Sequence, residues 1–258
     1  MHINRIIFLL FPCFFCTVVF GQSPILVTEG VIEFEKTVNK YAVINKIIKS
    51  YEPNSIWQDQ FTRYKGSHQQ FLKLGSTLTF SKSRTLFVPM KYTGDPNENL
   101  WNGKSISDQI NTVYSDFSTN TNTTEKKMLD ELFLVKDSLR SIKWKITNET
   151  REIAGFHCRR ANGLVMDSLY VVAFYTNEIP IASGPESFTG LPGMILGLAL
   201  PYENVTWFAI KVTEKANQGI VPPKRGKQVT YQQFKTIVEN TFKGYGLRKQ
   251  MLLKDFLL

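Results

Sequence analysis

The sequence predicts a mainly β (α+β) fold: an antiparallel meander of strands carrying a few helices. Three observations predict it. Period-two alternation of apolar and polar residues recurs from Val31 to Glu214. The clearest alternating segments follow one another at hairpin distance, which is a meander and not an alternation of strands with crossover helices. Helical periodicity is confined to short stretches near Tyr41 and Thr230.

The chain opens on MHINRIIFLLFPCFFCTVVFGQSP, one arginine followed by an apolar run from Ile6 to Phe20, with Val19 and Gly21 placed for cleavage before Gln22. That pattern predicts a secretory signal peptide over residues 1–21, and the run is shorter than the ~20 residues a spanning helix needs. Phe14 and Phe15 precede Cys16 where lipid attachment requires small residues, which argues against a lipid anchor. Residues 22–258 are then one β-rich domain, long enough to bury a core. Cys13 and Cys16 leave with the leader, so Cys158 stands alone, no intrachain disulfide forms, and stability rests on burial.

The strands are taken in order. VIEFEKTV, QFLKLGSTLTF, LFLVKD, FHCRRANG, SLYVVAFYT and VTWFAIKVTE all alternate, and IKWKITNE (Ile142 to Glu149) puts Ile142, Trp144 and Ile146 on one face. A turn at Glu152 to Gly155 joins that strand to the next. YAVINKIIKSYE (Tyr41 to Glu52) fits helix and strand equally, having helical spacing but β-branched residues. TYQQFKTIVENTFKGYG is a helix with Thr230 as N-cap, apolar Phe234, Ile237, Val238 and Phe242, and Gly244 as its stop. The polar run from Ser115 to Lys127 is expected to be a solvent-exposed loop.

The most distinctive stretch is IASGPESFTGLPGMILGLALP, residues 181–201. Leu191, Pro192, Gly193 and Met194 fit a type II turn, with Gly193 at positive φ. MILGLAL behind it is bracketed by Pro192 and Pro201 and is apolar on both faces, as in a doubly buried strand; Gly197 and Ala199 would admit a closely packed neighbour.

Candidate chemistry is sparse. The glycines from Gly184 to Gly197 lack GxGxxG or GxxxxGK spacing and any lysine or arginine, so phosphate binding is discarded. Only His68 and His157 survive loss of the leader, and neither GxSxG nor HExxH occurs. His157 and Cys158 are adjacent, so on a strand they face opposite ways and form no thiolate–imidazole pair. Cys158, His157, His68, Met90, Met166 and Met194 are soft-metal ligand types without a ligand spacing. Asp137, Glu149, Glu152, Glu178 and Glu186 offer carboxylates without a context that selects a pair. No catalytic residue, metal ligand or cofactor is assigned, and the chain is expected not to be an enzyme. Loss of Arg5 lowers the formal charge from +9 to +8, which favours anionic surfaces such as membrane head groups. The bases at Pro222 to Lys227 and at Arg248 and Lys249 read as solvated faces, and an exported protein does not meet nucleic acid.

GLPGMIL resembles the signature of the GLPGLI family (Porph_ging domain) of exported Bacteroidetes proteins, with Met194 in place of leucine. IKWKITNETREIAGFHCRRA is similar to that family's strand pair, and AFYTNEIPIASGPESFTGLPGMILGL to its IPI–GP–F–GLPGLIL block, over about Leu134 to Val212. Phe156, His157 and the Phe174–Tyr175 pair depart from it. The motif residues are Gly184, Pro185, Phe188, Gly190, Leu191, Pro192, Gly193, Met194, Ile195 and Leu196, and they are structural. The resemblance implies export to the periplasm or outer membrane, or secretion, a curved antiparallel sheet or open half-barrel like the lipoprotein-carrier fold, and no known molecular function. The leading expectation is therefore a non-enzymatic envelope protein that binds a hydrophobic ligand or a partner segment. Its rivals are a periplasmic copper-type metal handler and an envelope assembly module. No oligomeric state is assigned.

Overall fold

The computed structural model describes residues 26–50, 55–91, 110–215, 219–246 and 249–258; the expected leader, residues 1–21, lies outside them. Two five-stranded meanders flank one central strand, β1 (Glu29–Asn39). The first runs β2 (Phe71–Ser81), β3 (Arg84–Pro89), β4 (Asn111–Asp116), β5 (Thr121–Met128) and β6 (Glu131–Ser138). The second runs β7 (Lys143–Ile153), β8 (Phe156–Val165), β9 (Leu169–Thr176), β10 (Met194–Leu200) and β11 (Val205–Glu214). With β12 (Lys227–Thr230) the described strands form one sheet in the order β12-β6-β5-β4-β3-β2-β1-β11-β10-β9-β8-β7.

Chain connectivity forces this sheet to curl. β6 and β7 lie ten places apart in the order, about 48 Å in a flat sheet at strand spacing. Only residues 139–142 connect them, a reach of about 18 Å from Ser138 to Lys143. The two wings therefore bend toward each other across that short connection, and the sheet stays open because β7 and β12 are unpaired edges among the described strands. All pairings are antiparallel except β12 with β6, which is parallel in register Lys227↔Phe133. That pair qualifies the expected all-antiparallel sheet, since β12 arrives by a crossover after β11 and not by a hairpin.

The inward face is the core. β1 alternates strictly, burying Ile32, Phe34, Lys36 and Val38 while Glu33 and Glu35 face outward. β10 is buried on both faces as expected, with Ala199 alone partly exposed. Phe208 and Ile153 fill the space beside Gly197, so the close neighbour is the protein's own side chains. Hairpin β7–β8 turns on Ala154 and Gly155, both at positive φ, the requirement of a type I′ hairpin.

Among the described residues four α-helices lie on this frame. The ambiguous segment near Tyr41 is helix α1 (Lys40–Lys49): the Asn39 side chain caps Ala42 N, and Val43, Ile44, Ile47 and Ile48 share a buried face. Capping and an amphipathic stripe outweigh the β-branched propensity there. Helix α2 (Ser55–Ser67) packs Phe61 and Tyr64 against it in the main core. Thr230 caps α3 (Tyr231–Thr241) through a capping box with Gln233, and the helix ends at Phe242, just before Gly244. With α4 (Lys249–Leu257), α3 covers β6, burying Phe234, Val238, Leu252 and Phe256 against Phe133 and Val135.

One expectation is overturned. Ser115 to Lys127 is not a solvent-exposed loop but the end of β4, a tight turn, and β5. Thr124, Lys126 and Met128 alternate inward from β5, and Asn122 donates across the hairpin to Ser115 Oγ. Threonine's branched Cβ suits the pleat, and hydroxyl and amide pairing replaces apolar alternation on the inner face.

Candidate functional site

The segment between β9 and β10, residues 177–193, is threaded through the concave side of the sheet. Phe188 and Leu191 are buried in the main cluster. Met194 N donates to Ile179 O and Ile195 N to Ser183 O, so the segment folds back along the start of β10. Gly193 N donates to Leu191 O at 2.8 Å, closing an inverse γ-turn around Pro192 in place of the expected type II turn. Pro192 supplies the fixed φ of such a turn, and Met194 N is drawn away to Ile179, which removes the type II bond. Gly193 has φ +153°, outside the range of an ordinary L residue, and lies against the Thr176 carbonyl. The motif residues Gly184, Pro185, Phe188, Gly190, Leu191, Pro192, Gly193, Met194, Ile195 and Leu196 all belong to this fold-back, and all but Gly190 and Pro192 are buried.

Between its prolines the loop presents polar groups to both wings. Ser183 Oγ meets Thr85 Oγ1 of β3 at 3.0 Å in a buried hydrogen bond. Asn111 Nδ2 of β4 donates to Glu186 Oε2 at 3.1 Å, and Lys36 and Lys126 stabilise the same carboxylate electrostatically. Burial nevertheless pushes the Glu186 carboxyl above its ordinary pKa. Across the seam, Trp144 Nε1 of β7 donates to Thr189 O at 2.9 Å, and Thr189 Oγ1 donates to Arg140 O at 2.9 Å. The loop thus ties the two approaching wings together.

A cavity of about 270 Å³ opens at this seam, walled by β5, β6, the 138–141 turn, Ser187, α3 and the end of α4. Its cations are Lys126 and Arg140. Lys126 Nζ donates to Phe256 O at 2.9 Å; Arg140 Nε donates to Ser187 Oγ at 3.2 Å, and its Nη2 to Leu257 O and Leu258 O at 3.1 and 3.0 Å. Burial, then repulsion from Arg140, pushes the Lys126 ammonium down to about 7, and burial also lowers Arg140. Hydroxyls from Ser138, Ser141 and Tyr231 and apolar Val135, Leu139 and Phe234 complete the wall. The Asp137 carboxylate lines the same cavity and offsets part of the Arg140 charge, so the wall offers charged groups of both signs and hydroxyls beside an apolar surface.

The ligand types singled out in the sequence are not assembled in one place. Cys158 is buried and His157 exposed on opposite faces of β8, as expected; His157 Nδ1 pairs with Glu152 at 2.9 Å, and burial raises the Cys158 thiol to about 12. His68 stacks on Tyr64 at the end of α2. Met90 is half-exposed beside Gly75, and Met194 lies in the core. Among the described residues no cluster of three or more His, Cys, Asp or Glu is placed to hold a metal. Of the carboxylates, Asp137 lines the cavity and Glu186 lies behind it, whereas Glu149 pairs with Arg160 and Glu178 accepts from His157 N. Sequence reasoning passed over Lys126 and Arg140. Their signal was a lysine two residues from Thr124 and Met128 in a strand-compatible run, and an arginine in the short β6–β7 connection.

Comparison with known proteins adds the following. No curated protein sequence matches this chain. A solved structure described as PNGF-II has a TM-score of 0.51 at 12% identity, covering 81% of this chain; the chain spans about a third of that protein, 33%. A second crystal form of PNGF-II gives 0.49 at 13% identity, covering 81% and 32% of the two chains. An uncharacterized conserved protein from Thermus thermophilus gives 0.38 at 6% identity, covering 80% and 91%. The first of these likenesses concerns the fold alone. A family model described as a protein of unknown function, Porph_ging, matches residues 163–197. From the end of β8 through the threaded loop to mid-β10, the chain therefore carries the signature of the Porph_ging (GLPGLI) family.

Proposed function

We propose that this chain is a non-enzymatic protein of the cell envelope that binds a ligand or partner segment in the seam pocket between its two wings. The observation that carries the reading is the cavity of about 270 Å³ lined by the buried Lys126 and the partly buried Arg140 and braced by the threaded loop. Phe188, Leu191, Trp207 and Tyr175 are buried in the core, the cleft beside Trp207 and Glu186 measures only about 40 Å³, and the groove of about 570 Å³ along β5, β6 and Pro222 to Lys224 lacks both Lys126 and Arg140. Envelope location is supported by the leader-like residues 1–21, and the formal charge of +8 left once Arg5 is removed suits an anionic membrane surface. No described helix is long and apolar enough to cross a membrane.

The test is photo-crosslinking in the cell from a reactive residue at Leu139, inside the pocket, with Ile210 on an exposed face as control. The reading expects a discrete adduct from position 139 and none from 210. Equal labelling from both positions, or none from 139, overturns it. N-terminal sequencing of the mature protein should begin at Gln22, and an intact Met1 would remove the export half of the proposal.

A further inference from the structure

We infer that the cleft between β1, β2, β3 and β11 is a second binding site, one that takes the primary carboxamide tip of a small molecule whose apolar stem leaves past Met90 and Ile110. The cleft shares no wall residue with the seam pocket, so this site goes beyond the reading above and stands or falls independently of it.

Unmet hydrogen bonds call for a polar occupant. Lys36 of β1 and Trp207 of β11 are register partners, and Ser76 is buried on β2 beside them. Ser76 Oγ and Trp207 Nε1 line the cleft on residues only 3% and 1% exposed, and neither has a hydrogen-bond partner among the described residues. The third polar wall is Glu186, whose Oε2 accepts from Asn111 Nδ2 at 3.1 Å; Asn111 Oδ1 is itself buried without a partner among the described residues. Each such atom costs stability until something bonds it. Trp207 Nε1 can only donate, Asn111 Oδ1 and a Glu186 carboxylate can only accept, and Ser76 Oγ does either. The group that completes this wall must therefore accept and donate side by side.

Charge and size narrow the class. Lys36 and Glu186 carry opposite charges and stabilise each other electrostatically, and Lys36 Nζ stands 5.1 Å over the Trp207 ring, so the wall is balanced within itself. Burial already opposes the Glu186 charge; a ligand carboxylate would add a second negative charge beside it, and an ammonium would meet Lys36. The cleft measures about 40 Å³, and a water-sized atom takes roughly 10–15 Å³ of such volume, which leaves room for about three. A carboxamide has three heavy atoms, an oxygen that accepts twice and a nitrogen that donates twice, whereas a hydroxyl brings a single proton. Leu74, Phe87 and Pro89 make the rest of the wall apolar, and the half-exposed Met90 and exposed Ile110 stand at its rim, which suits an alkyl stem.

The test follows the indole N–H signals of the nitrogen-15-labelled mature protein during titration with butyramide, 1-butanol, sodium butyrate and butylammonium chloride. Trp207→Phe identifies the Trp207 signal, and through-space contacts of its indole ring with Lys36 identify it where that variant folds poorly. Butyramide is expected to move this signal downfield saturably and to bind at least tenfold tighter than 1-butanol, with butyrate and butylammonium leaving it in place. The signal of Trp144, whose Nε1 already donates to Thr189 O, should stay unmoved. Ser76→Ala should weaken butyramide binding about fivefold, the loss of one neutral hydrogen bond. Binding of 1-butanol equal to that of butyramide, a response to either ion, or no saturable shift with any probe, as in a cleft that holds water only, overturns the inference. Such a failure leaves crosslinking from Leu139 unaffected, so the seam-pocket reading is judged separately.

Discussion

Gly193→Ala isolates what the family turn contributes. The wild-type residue has φ +153°, a region that costs an L residue on the order of 1–3 kcal/mol. A Cβ added there would fall on the Thr176 carbonyl oxygen, 2.8 Å from the Thr176 carbonyl carbon and 3.1 Å from Asn177 Cα. These are backbone atoms and cannot rotate away, so β9 and the γ-turn must separate, an overpacking cost of about 1–3 kcal/mol more. The sum is about 4 kcal/mol, a large share of the 5–15 kcal/mol on which a domain of this kind subsists. Gly155→Ala is the control: φ is +84° but nothing lies within 4 Å of the new Cβ, so only strain of about 1 kcal/mol remains. Urea unfolding followed by tryptophan fluorescence should give a loss for Gly193→Ala several times that for Gly155→Ala, without change in the m-value. Equal losses, or a Gly193→Ala loss under about 1 kcal/mol, would refute the close approach of the turn to β9.

Other outcomes follow from local geometry. Ala154 holds φ +51° in the β7–β8 hairpin, so Ala154→Gly should stabilise by about 0.5–1 kcal/mol; a loss in the same urea assay would count against the I′ turn. Asp116 accepts from Ser118, Thr119, Tyr114 and Arg84, and its carboxyl, held down to about 2 chiefly by Ser118, stabilises the fold above its ordinary 3.8 and ceases to as pH falls through 2. Asp116→Asn should cost about 2 kcal/mol at pH 7 and flatten the wild type's loss of stability between pH 4 and pH 2. For Lys126 the unfolded chain keeps its proton to 10.5 whereas the folded chain gives it up near 7, so the unfolded state binds the extra proton. Stability should therefore rise with pH from 7 to 9, by up to about 1.4 kcal/mol per unit, and Lys126→Met should abolish the rise. Above that window Cys158, pushed from 9.0 to about 12, works in the opposite direction.

Where inward residues are apolar, the fold was legible in the sequence. Strands β1, β2 and β6 to β11 show as alternation because Ile32, Phe34, Phe80, Phe133, Ala161 and Trp207 face the core. β4 and β5 escaped because their inner faces carry Asn111, Ser115, Thr124 and Lys126, which read as surface in any hydropathy pattern. β12 is only four residues long and is held by its partner β6, a contact no local signal announces. The candidate site was illegible for a related reason. Lys126 and Arg140 are brought beside Glu186 by the curl of the sheet, which follows from the strand order and the short 139–142 connection, not from any motif. The glycine–proline motif was visible, and in the fold it carries Glu186 inward and ties Trp144 to Arg140 through Thr189.

Native mass spectrometry of the protein isolated gently from its native cells tests the central claim most directly. The account predicts a small organic species retained on the wild type and lost from Lys126→Met while the protein stays folded. The bare polypeptide mass for both, at full occupancy of the folded state, would contradict a binding role for the seam pocket.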